Sequence, residues 1–343
     1  MDDKPQRRTS AEKSPIPRLD LKDRKILLAL STDARMPLSG IAKFAGLSRD
    51  SVKYRIEGYR RSGLLINTAT LVDVTRLGYD SYHIFLRLFN PSEEVEGDII
   101  ARIGKIPYVR VILKFMGEYD LEIVLVSKDL AQFDMTLTGI LSDFSRMIKD
   151  YEILVVTKPY ITRPIPPVFF GGIKSDGIQV NPKRKRDAQY MPDDKDFEIL
   201  RQIRDDARMP LVEIAEKIGM SKDAVSYRLK KLEGSIILDF LPVVSYRMLG
   251  YEVHALLLNI SPLDKESDKK LEKFLANNGN ILFAVKTVGR FNVLVYVCTQ
   301  NISGLQEVIN ELRREFAEQI KNFESLFAFE RQKYTYAPDC VFE

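Results

Sequence analysis

Residues 33–56 read DARMPLSGIAKFAGLSRDSVKYRI, and residues 206–229 read DARMPLVEIAEKIGMSKDAVSYRL. Fourteen of these 24 aligned positions are identical at a constant offset of 173. Further matches follow at an offset of 172, such as LGYD at 77–80 with LGYE at 249–252. The chain is therefore a tandem duplication of a unit of about 140 residues, with one residue lost near the end of the third helix.

The composition is that of a soluble globular protein and excludes several classes. The chain has 343 residues, of which 45% are hydrophobic and 29% charged. No run of about 18 apolar residues predicts a transmembrane helix, and the N-terminus lacks the apolar core of a secretory signal. Two cysteines and two histidines argue against a zinc ribbon, a disulfide scaffold or a histidine-rich metal centre. We expect a cytoplasmic protein.

The first part of each copy has the pattern of a helix-turn-helix. Gly46 supplies a permissive turn, Ser48 is a candidate N-cap, and Val52 and Ile56 lie on one face of the helix that follows. Polar residues cover the other face. The second copy repeats the pattern with Pro210, Ile214, Ala215, Gly219, Ser221, Val225 and Leu229.

The second part of each copy alternates strands and helices in the order βαββαβ, the ferredoxin-like arrangement. In the first copy we predict strands at 82–89, 108–115, 120–126 and 151–157, with helices at 92–104 and 130–143. In the second copy we predict strands at 253–260, 281–287, 292–299 and 323–329, with helices at 264–277 and 302–317.

The predicted fold class is α+β, with two winged or tri-helical helix-turn-helix domains, each followed by a ferredoxin-like βαββαβ domain. The predicted segments are a disordered arm (1–18), helix-turn-helix 1 (19–66), effector domain 1 (67–157), a basic linker rich in Pro and Gly (158–192), helix-turn-helix 2 (193–239), effector domain 2 (240–334) and a tail (335–343).

The helix-turn-helix run, the LGY segment and MGEYD at 116–120 together resemble the Lrp/AsnC family of feast/famine transcription regulators. Members of that family have an N-terminal helix-turn-helix and a C-terminal βαββαβ domain for effector binding and oligomerisation. The resemblance covers almost the whole chain, twice. The fusion of two units departs from the family, whose usual chain carries one.

The resemblance implies that the third helix of each copy reads double-stranded DNA, which requires polar and cationic side chains toward bases and phosphates. The candidate residues are Ser48, Arg49, Ser51, Lys53, Tyr54, Arg55, Ser221, Lys222, Ser226, Tyr227, Arg228 and Lys230. The alternative is a solvated helix face. Arg55 and Arg228 lie nearer the buried face and are alternatively expected to orient the helix. Arg35 and Arg208 suit a structural ion pair as well as a phosphate contact.

Charge is distributed unequally between the modules. Residues 1–66 carry a net charge of +7 and residues 192–239 a net charge of −2. The linker segment 158–191 carries +5, with the run Lys183–Arg186 inside it. Because phosphate attraction dominates nonspecific DNA affinity, we predict that the first helix-turn-helix binds DNA more strongly.

The turn formed by Gly117, Glu118, Tyr119 and Asp120 is the candidate effector site. The resemblance implies that this turn lines a cleft between effector domains that can bind an amino acid. The alternative is a simple hairpin turn in which Asp120 starts a strand. In the second copy Asn292 replaces the aspartate, so binding there is less expected.

The predicted partners are double-stranded DNA, an amino-acid effector and a second effector domain, paired within one chain or between chains; no membrane, metal or cofactor is expected. His83 and His254 are expected to be packing or surface residues. Two other functions stay open. One is an enzyme similar to sirohaem decarboxylase, whose subunits share this architecture, and the other is an amino-acid-binding module that binds no DNA.

Overall fold

The computed structural model describes residues 18–173 and 190–342 as a mixture of helices and strands. The helices are α1 (Leu21–Thr32), α2 (Leu38–Ala45), α3 (Arg49–Arg61), α4 (Glu93–Ile103), α5 (Leu130–Asp143), α6 (Asp194–Ile203), α7 (Leu211–Ile218), α8 (Lys222–Glu233), α9 (Lys265–Asn277) and α10 (Ile302–Phe316). The strands are β1 (Leu65–Val72), β2 (Asp80–Leu88), β3 (Val109–Met116), β4 (Leu121–Ser127), β5 (Ile148–Thr162), β6 (Ile237–Val244), β7 (Glu252–Ile260), β8 (Ile281–Val288), β9 (Val293–Thr299) and β10 (Ile320–Tyr334). The predicted fold class is confirmed. In the described part of the chain, no helix is long and apolar enough to cross a membrane.

Local sequence signals determine where the helices of each helix-turn-helix begin and end. Asp20 and Asp193 open α1 and α6 with capping boxes. Gly46 and Gly219 follow α2 and α7 with φ angles of 64° and 65°, a conformation that glycine adopts without strain. The side chain of Ser48 accepts a backbone N–H at 3.1 Å and caps α3.

An antiparallel ribbon of β1 and β6 joins the two copies. Leu65 lies opposite Val244, and Val72 lies opposite Ile237. The predicted domain boundaries at residues 66/67 and 239/240 are wrong because they cut these two strands. We call the two helix-turn-helix units, α1–α3 and α6–α8, the first and second heads. The strand that follows each head pairs with the strand that follows the other head.

The effector domains form two four-stranded sheets that close into one barrel. The strand order is β3-β4-β2-β5 in the first copy and β8-β9-β7-β10 in the second. The barrel closes because β5 pairs with β8 and β10 pairs with β3. Val155 lies opposite Val288 at one junction, and Phe327 lies opposite Met116 at the other. The sheets of the two copies therefore associate within one chain.

Each sheet is buried on both sides. On the outer side of the first sheet, Ile84 and Ile123 pack with Phe133 of α5. On the outer side of the second, Val295 packs with Leu305 of α10. The inner sides of both sheets form one shared core, which includes Phe85, Phe115, Tyr119, Leu154, Ala255, Leu257, Val285, Phe291, Leu294, Tyr296 and Leu326.

Residues 158–173 are folded, so the predicted linker 158–192 begins too early. β5 continues through Thr162, and a 3₁₀ helix follows at Pro167–Phe170. Phe169 and Phe170 bury their side chains in the core. Pro159 is tolerated in β5 because it lies between two register shifts, where the ladder of hydrogen bonds is irregular. The run Lys183–Arg186 and residues 1–17 of the arm lie outside the described residues.

The predicted tail, residues 335–343, is also folded over its described part. Tyr336, Cys340 and Val341 are buried. The Tyr79 hydroxyl donates to the Cys340 carbonyl at 2.8 Å. Cys340 and Val341 pack with Val74 and Tyr79 of the first copy, and Tyr336 packs with residues of the β1–β6 ribbon.

Candidate nucleic-acid interface and effector turn

The outer face of α3 presents polar and cationic side chains. Arg49, Lys53 and Tyr54 are exposed. The Lys53 ammonium lies 3.9 Å from the Glu57 carboxylate. Because exposed ion pairs of this kind contribute little free energy, Lys53 can exchange this contact for a phosphate.

Tyr54 and Tyr227 occupy matching positions on α3 and α8, and each ring has a cation next to it. Their exposed fractions are 69% and 61%. The Arg61 guanidinium lies 5.8 Å from the centre of the Tyr54 ring, and the Lys231 ammonium lies 4.7 Å from that of Tyr227. A tyrosine hydroxyl suits a phosphate oxygen, and an aromatic ring suits a thymine methyl. Both helices therefore carry an exposed tyrosine next to a cation at the same position.

The remaining candidates lie around the helix starts and on α8. Ser221 accepts the backbone N–H of Ala224 at 3.2 Å and caps α8, as Ser48 caps α3. The hydroxyl oxygens of Ser48 and Ser51 are 2.8 Å apart. Exposed or half-buried positions are occupied by Ser51, Lys222, Ser226 and Lys230.

Arg55 and Arg228 orient the third helices and do not extend from their outer faces. Arg55 Nη1 lies 2.6 Å from an Asp23 carboxylate oxygen and 3.0 Å from Asp20. Arg228 Nη1 makes the matching contacts with Asp193 at 2.7 Å and Asp196 at 3.0 Å. These carboxylates raise the pKa of both guanidinium groups further. These hydrogen bonds join α3 to α1 and α8 to α6 and favour the alternative in which both arginines orient the helices, and their contact with DNA stays a prediction.

Arg35 and Arg208 make a reciprocal contact between the two heads. Arg208 Nη1 donates to the carbonyls of Ala34 at 2.5 Å and Met36 at 2.9 Å. Arg35 Nη1 donates in the same way to the carbonyls of Ala207 and Met209. Burial lowers the pKa of both arginines. The hydrogen-bond partners of both arginines are backbone carbonyls of the other head; we call this pair the arginine clasp.

Backbone hydrogen bonds support the arginine clasp from both sides. The Ala34 N–H donates to the Phe240 carbonyl at 2.9 Å, and the Ala207 N–H donates to the Thr68 carbonyl at 2.8 Å. Each turn between the first two helices of a head is thus bonded to the ribbon strand of the other copy. The two heads are held by the ribbon, by these bonds and by the arginine clasp.

The candidate effector turn has one buried and one exposed part. Tyr119 is buried beside Phe85, with ring centres 5.7 Å apart, and burial raises the pKa of its hydroxyl. Asp120 accepts the backbone N–H of Leu88 at 2.7 Å. Glu118 is exposed, and its carboxylate pairs with the Arg87 guanidinium. Asp120 therefore has the structural role that the hairpin alternative predicts, and Glu118 keeps an accessible charge.

The turn of the second copy makes the same structural bond without a charge. The Asn292 side chain accepts the N–H of Ile260 at 2.9 Å and donates to its carbonyl at 2.7 Å. Both turns also approach the opposite copy. A Cβ on Gly117 would meet Leu326 at 2.8 Å, and one on Gly289 would meet the Ile153 carbonyl at 2.5 Å. Glycine suits both positions because their φ angles are 146° and 153°, and at Gly289 the backbone of the opposite strand also leaves no room for a side chain.

Comparison with known proteins agrees with this arrangement. Residues 19–60 match the AsnC-type helix-turn-helix domain, and residues 192–235 match a winged helix-turn-helix DNA-binding family. An uncharacterized HTH-type transcriptional regulator of Pyrococcus horikoshii is 33% identical over 119 residues, which are 34% of this chain and 75% of the relative. Regulatory protein AsnC of Haemophilus influenzae is 28% identical over 149 residues, which are 43% of this chain and 98% of the relative.

Solved structures also show similarity along nearly the whole chain. The crystal structure of the siroheme decarboxylase NirDL aligns with a TM-score of 0.60 and 15% identity, covering 92% of this chain and 93% of that one. At that identity the likeness concerns the fold alone.

The fold and the paired heads define a DNA-binding helix-turn-helix regulator. The chain belongs to the Lrp/AsnC family of transcription regulators, in a form that carries the family unit twice.

Sequence reasoning missed the clasp and the ribbon. The signal available was the unbroken identity of DARMPL in both copies, which includes residues with no place on a reading helix. Repeated residues outside a binding face indicate a shared structural contact, but their partners lie more than 170 residues away in the chain.

Proposed function

We propose that one chain acts as a complete pair of DNA-reading heads, equivalent to a dimer of single-unit relatives. The observation that carries the proposal is that the ribbon, the arginine clasp and the closed barrel all form between the two copies of one chain. A helix-turn-helix pair with a fixed arrangement reads two half-sites at a defined separation on the duplex.

We further propose that the two heads are unequal. The exposed cations on and beside α3 include Arg49, Lys53 and Arg61, in a module of net charge +7. The second module has a net charge of −2 because its 11 acidic residues outnumber its 9 lysines and arginines. The stronger electrostatic contact therefore belongs to the first head, with the basic segments 1–17 and 183–186 assisting it.

Selection of bound sequences from random duplex DNA tests this proposal. The expected motif has two half-sites at a fixed separation, with more sequence information in the half read by the first head. A single half-site recovered with the full-length chain would contradict paired reading. Two halves of equal information would contradict the inequality of the heads.

We propose that the effector is an amino acid that binds at the first turn through Glu118 and Arg87. An exposed carboxylate next to a guanidinium complements an α-ammonium and an α-carboxylate. Their present pairing resembles the closed form of such a site, which an amino acid would open by supplying both opposite charges. The second turn has Arg290 where the first has Glu118, so binding is proposed for the first copy only.

Calorimetric titration with the common amino acids tests the effector proposal. Glu118→Gln should weaken binding at least about tenfold, because it removes the charge that faces the ammonium. Asp120→Asn is the matched control, since Asn292 already makes the same backbone bond, and it should leave binding unchanged. Absence of heat for every amino acid, or a loss confined to Asp120→Asn, would refute the assignment.

We propose that the protein acts in the cytoplasm as a regulator without enzymatic activity. The likeness to siroheme decarboxylase supports a common fold and leaves decarboxylation as the alternative function. A tetrapyrrole spectrum that stays unchanged when sirohaem is mixed with the protein supports the regulator, and a shifted spectrum supports the alternative.

A further inference from the structure

A polar cluster is buried in the core that the two sheets share. His83 Nδ1 lies 2.6 Å from Glu122 Oε1, and the Tyr296 hydroxyl donates to Glu122 Oε2. Glu122 has no exposed surface, and the other two side chains are also buried. His83 and Glu122 belong to the first copy, and Tyr296 belongs to the second. The cluster therefore crosses the interface between the copies.

The residues of the polar cluster have no polar counterparts at the equivalent positions of the other copy. His83 pairs with Val124 across strands β2 and β4, and Ala255 pairs with Tyr296 across β7 and β9. These pairs confirm the offset of 172 inside the barrel. The counterparts of His83, Glu122 and Tyr296 are thus Ala255, Leu294 and Val124, all apolar. A duplication by itself gives both copies the same residues at these positions. The polar residues therefore distinguish the first copy from the second at the interface between them.

We propose that this cluster makes a first copy pair with a second copy and not with another first copy. If two first copies paired in the same geometry, Glu122 would meet Val124 where Tyr296 now stands. If two second copies paired, the Tyr296 hydroxyl would meet Leu294. In either case a buried polar group loses its partner, which is strongly unfavourable in a core that excludes water.

The inference concerns assembly and does not depend on which DNA or effector the protein binds. Like-with-like pairing between chains would join heads of the same kind, and the chain would then assemble into dimers or longer arrays. A buried polar contact that only the intended pair satisfies is a known way to set partner choice. The interior thus excludes the first copy of another chain from the place that the second copy occupies.

Disulfide trapping distinguishes the two kinds of pairing. Met116 faces Phe327 across β3 and β10, and the first-copy counterpart of Phe327 is Val155. Met116→Cys with Val155→Cys can therefore form a disulfide only between two first copies from different chains. Within one chain β4 and β2 separate these strands, which prevents an internal link. Met116→Cys with Phe327→Cys is the matched control and should close within one chain.

The comparison is made on full-length protein with Cys298→Ala and Cys340→Ala, which is unfolded, refolded and only then oxidised mildly. With the native cluster, the Met116→Cys/Val155→Cys protein should give little covalent dimer. Adding His83→Ala, Glu122→Leu and Tyr296→Val gives both copies the same apolar residues at these three positions, and the covalent dimer should rise at least about tenfold. Tyr296→Phe, which removes only the hydroxyl, should raise it less.

Two results would overturn the proposal. One is a native-cluster protein that forms as much covalent dimer as the symmetric variant. The other is a symmetric variant that still forms the control link within one chain and yields no additional dimer. If the symmetric variant fails to fold, the Tyr296→Phe protein decides, because an unchanged dimer yield there contradicts the assigned role of the hydroxyl. Neither result bears on DNA reading by the chain.

Discussion

Replacing Arg35 and Arg208 together by alanine is expected to abolish discrimination between duplexes whose two half-sites differ in separation. Two linked heads gain about 10²-fold or more in affinity when both can bind at once, and lose that gain when the geometry forbids it. The native protein should therefore prefer one separation strongly. Without the arginine clasp the heads are held less tightly, and affinities across separations should fall within about threefold of one another.

The physical basis is the loss of hydrogen bonds from charged donors to carbonyls. Each is worth about 1.5–3 kcal/mol, so the double variant should also have a lower free energy of unfolding. The ribbon, the capping boxes and the barrel remain, and the heads should stay folded. Circular dichroism checks the helical content, and binding to a single half-site should be nearly unchanged.

Lysine substitutions provide the control for the clasp. Arg35→Lys with Arg208→Lys keeps one donor on each side and should retain part of the spacing preference. If the alanine variant binds every duplex as selectively as the native protein, the clasp does not set the separation. If the double alanine variant loses as much affinity for a single half-site as for the paired site, the heads have unfolded and the positioning role is wrong.

The second large effect is expected on α3. Arg49→Ala with Lys53→Ala should weaken DNA binding by about 30- to 100-fold and reduce the slope of log affinity against log salt by about 1.8, or about 0.9 for each lost phosphate contact. The matched change on α8, Lys222→Ala with Ser226→Ala, should cost less than about fivefold, because that head has a net negative charge. Equal losses would contradict the division between the heads.

Arg55→Ala separates contact from orientation. Removing Arg55 leaves the buried Asp23 carboxylate with the Tyr59 hydroxyl at 2.6 Å and without its cation. The free energy of unfolding should fall by about 2 kcal/mol, since a hydrogen bond to a charged group is lost. For the folded fraction of the Arg55→Ala protein, the slope of log DNA affinity against log salt concentration should stay the same. A reduced slope with unchanged stability would place Arg55 in the DNA-contact set.

Elements with local signals were predictable from the sequence. The predicted helix at 130–143 has the bounds of α5, which Asp129 caps in the structure and whose apolar residues recur at helical spacing. The βαββαβ order followed from the same kind of periodicity. Turn glycines marked the joins between β3 and β4 and between β8 and β9.

Elements whose partners are distant in the chain were not predictable. Strands β1 and β6 lack a strong alternation and exist because each pairs with the other copy. The extension of β5 past Pro159 contradicts the usual reading of proline, and only its pairing with β8 explains it. Of the candidate site, the outer faces of α3 and α8 are surfaces as the sequence predicts, and the structural role of Asp120 agrees with the hairpin alternative. The arginine clasp depends on contacts that no local pattern encodes.

The central claim is that one chain holds two DNA-reading heads. The most direct measurement is the number of chains bound to a duplex that carries both half-sites, determined by native mass spectrometry and combined with footprinting of the same complex. The claim predicts one chain for each pair of protected half-sites. Two chains on such a duplex, each protecting one half-site, or one chain protecting a single half-site, would contradict it.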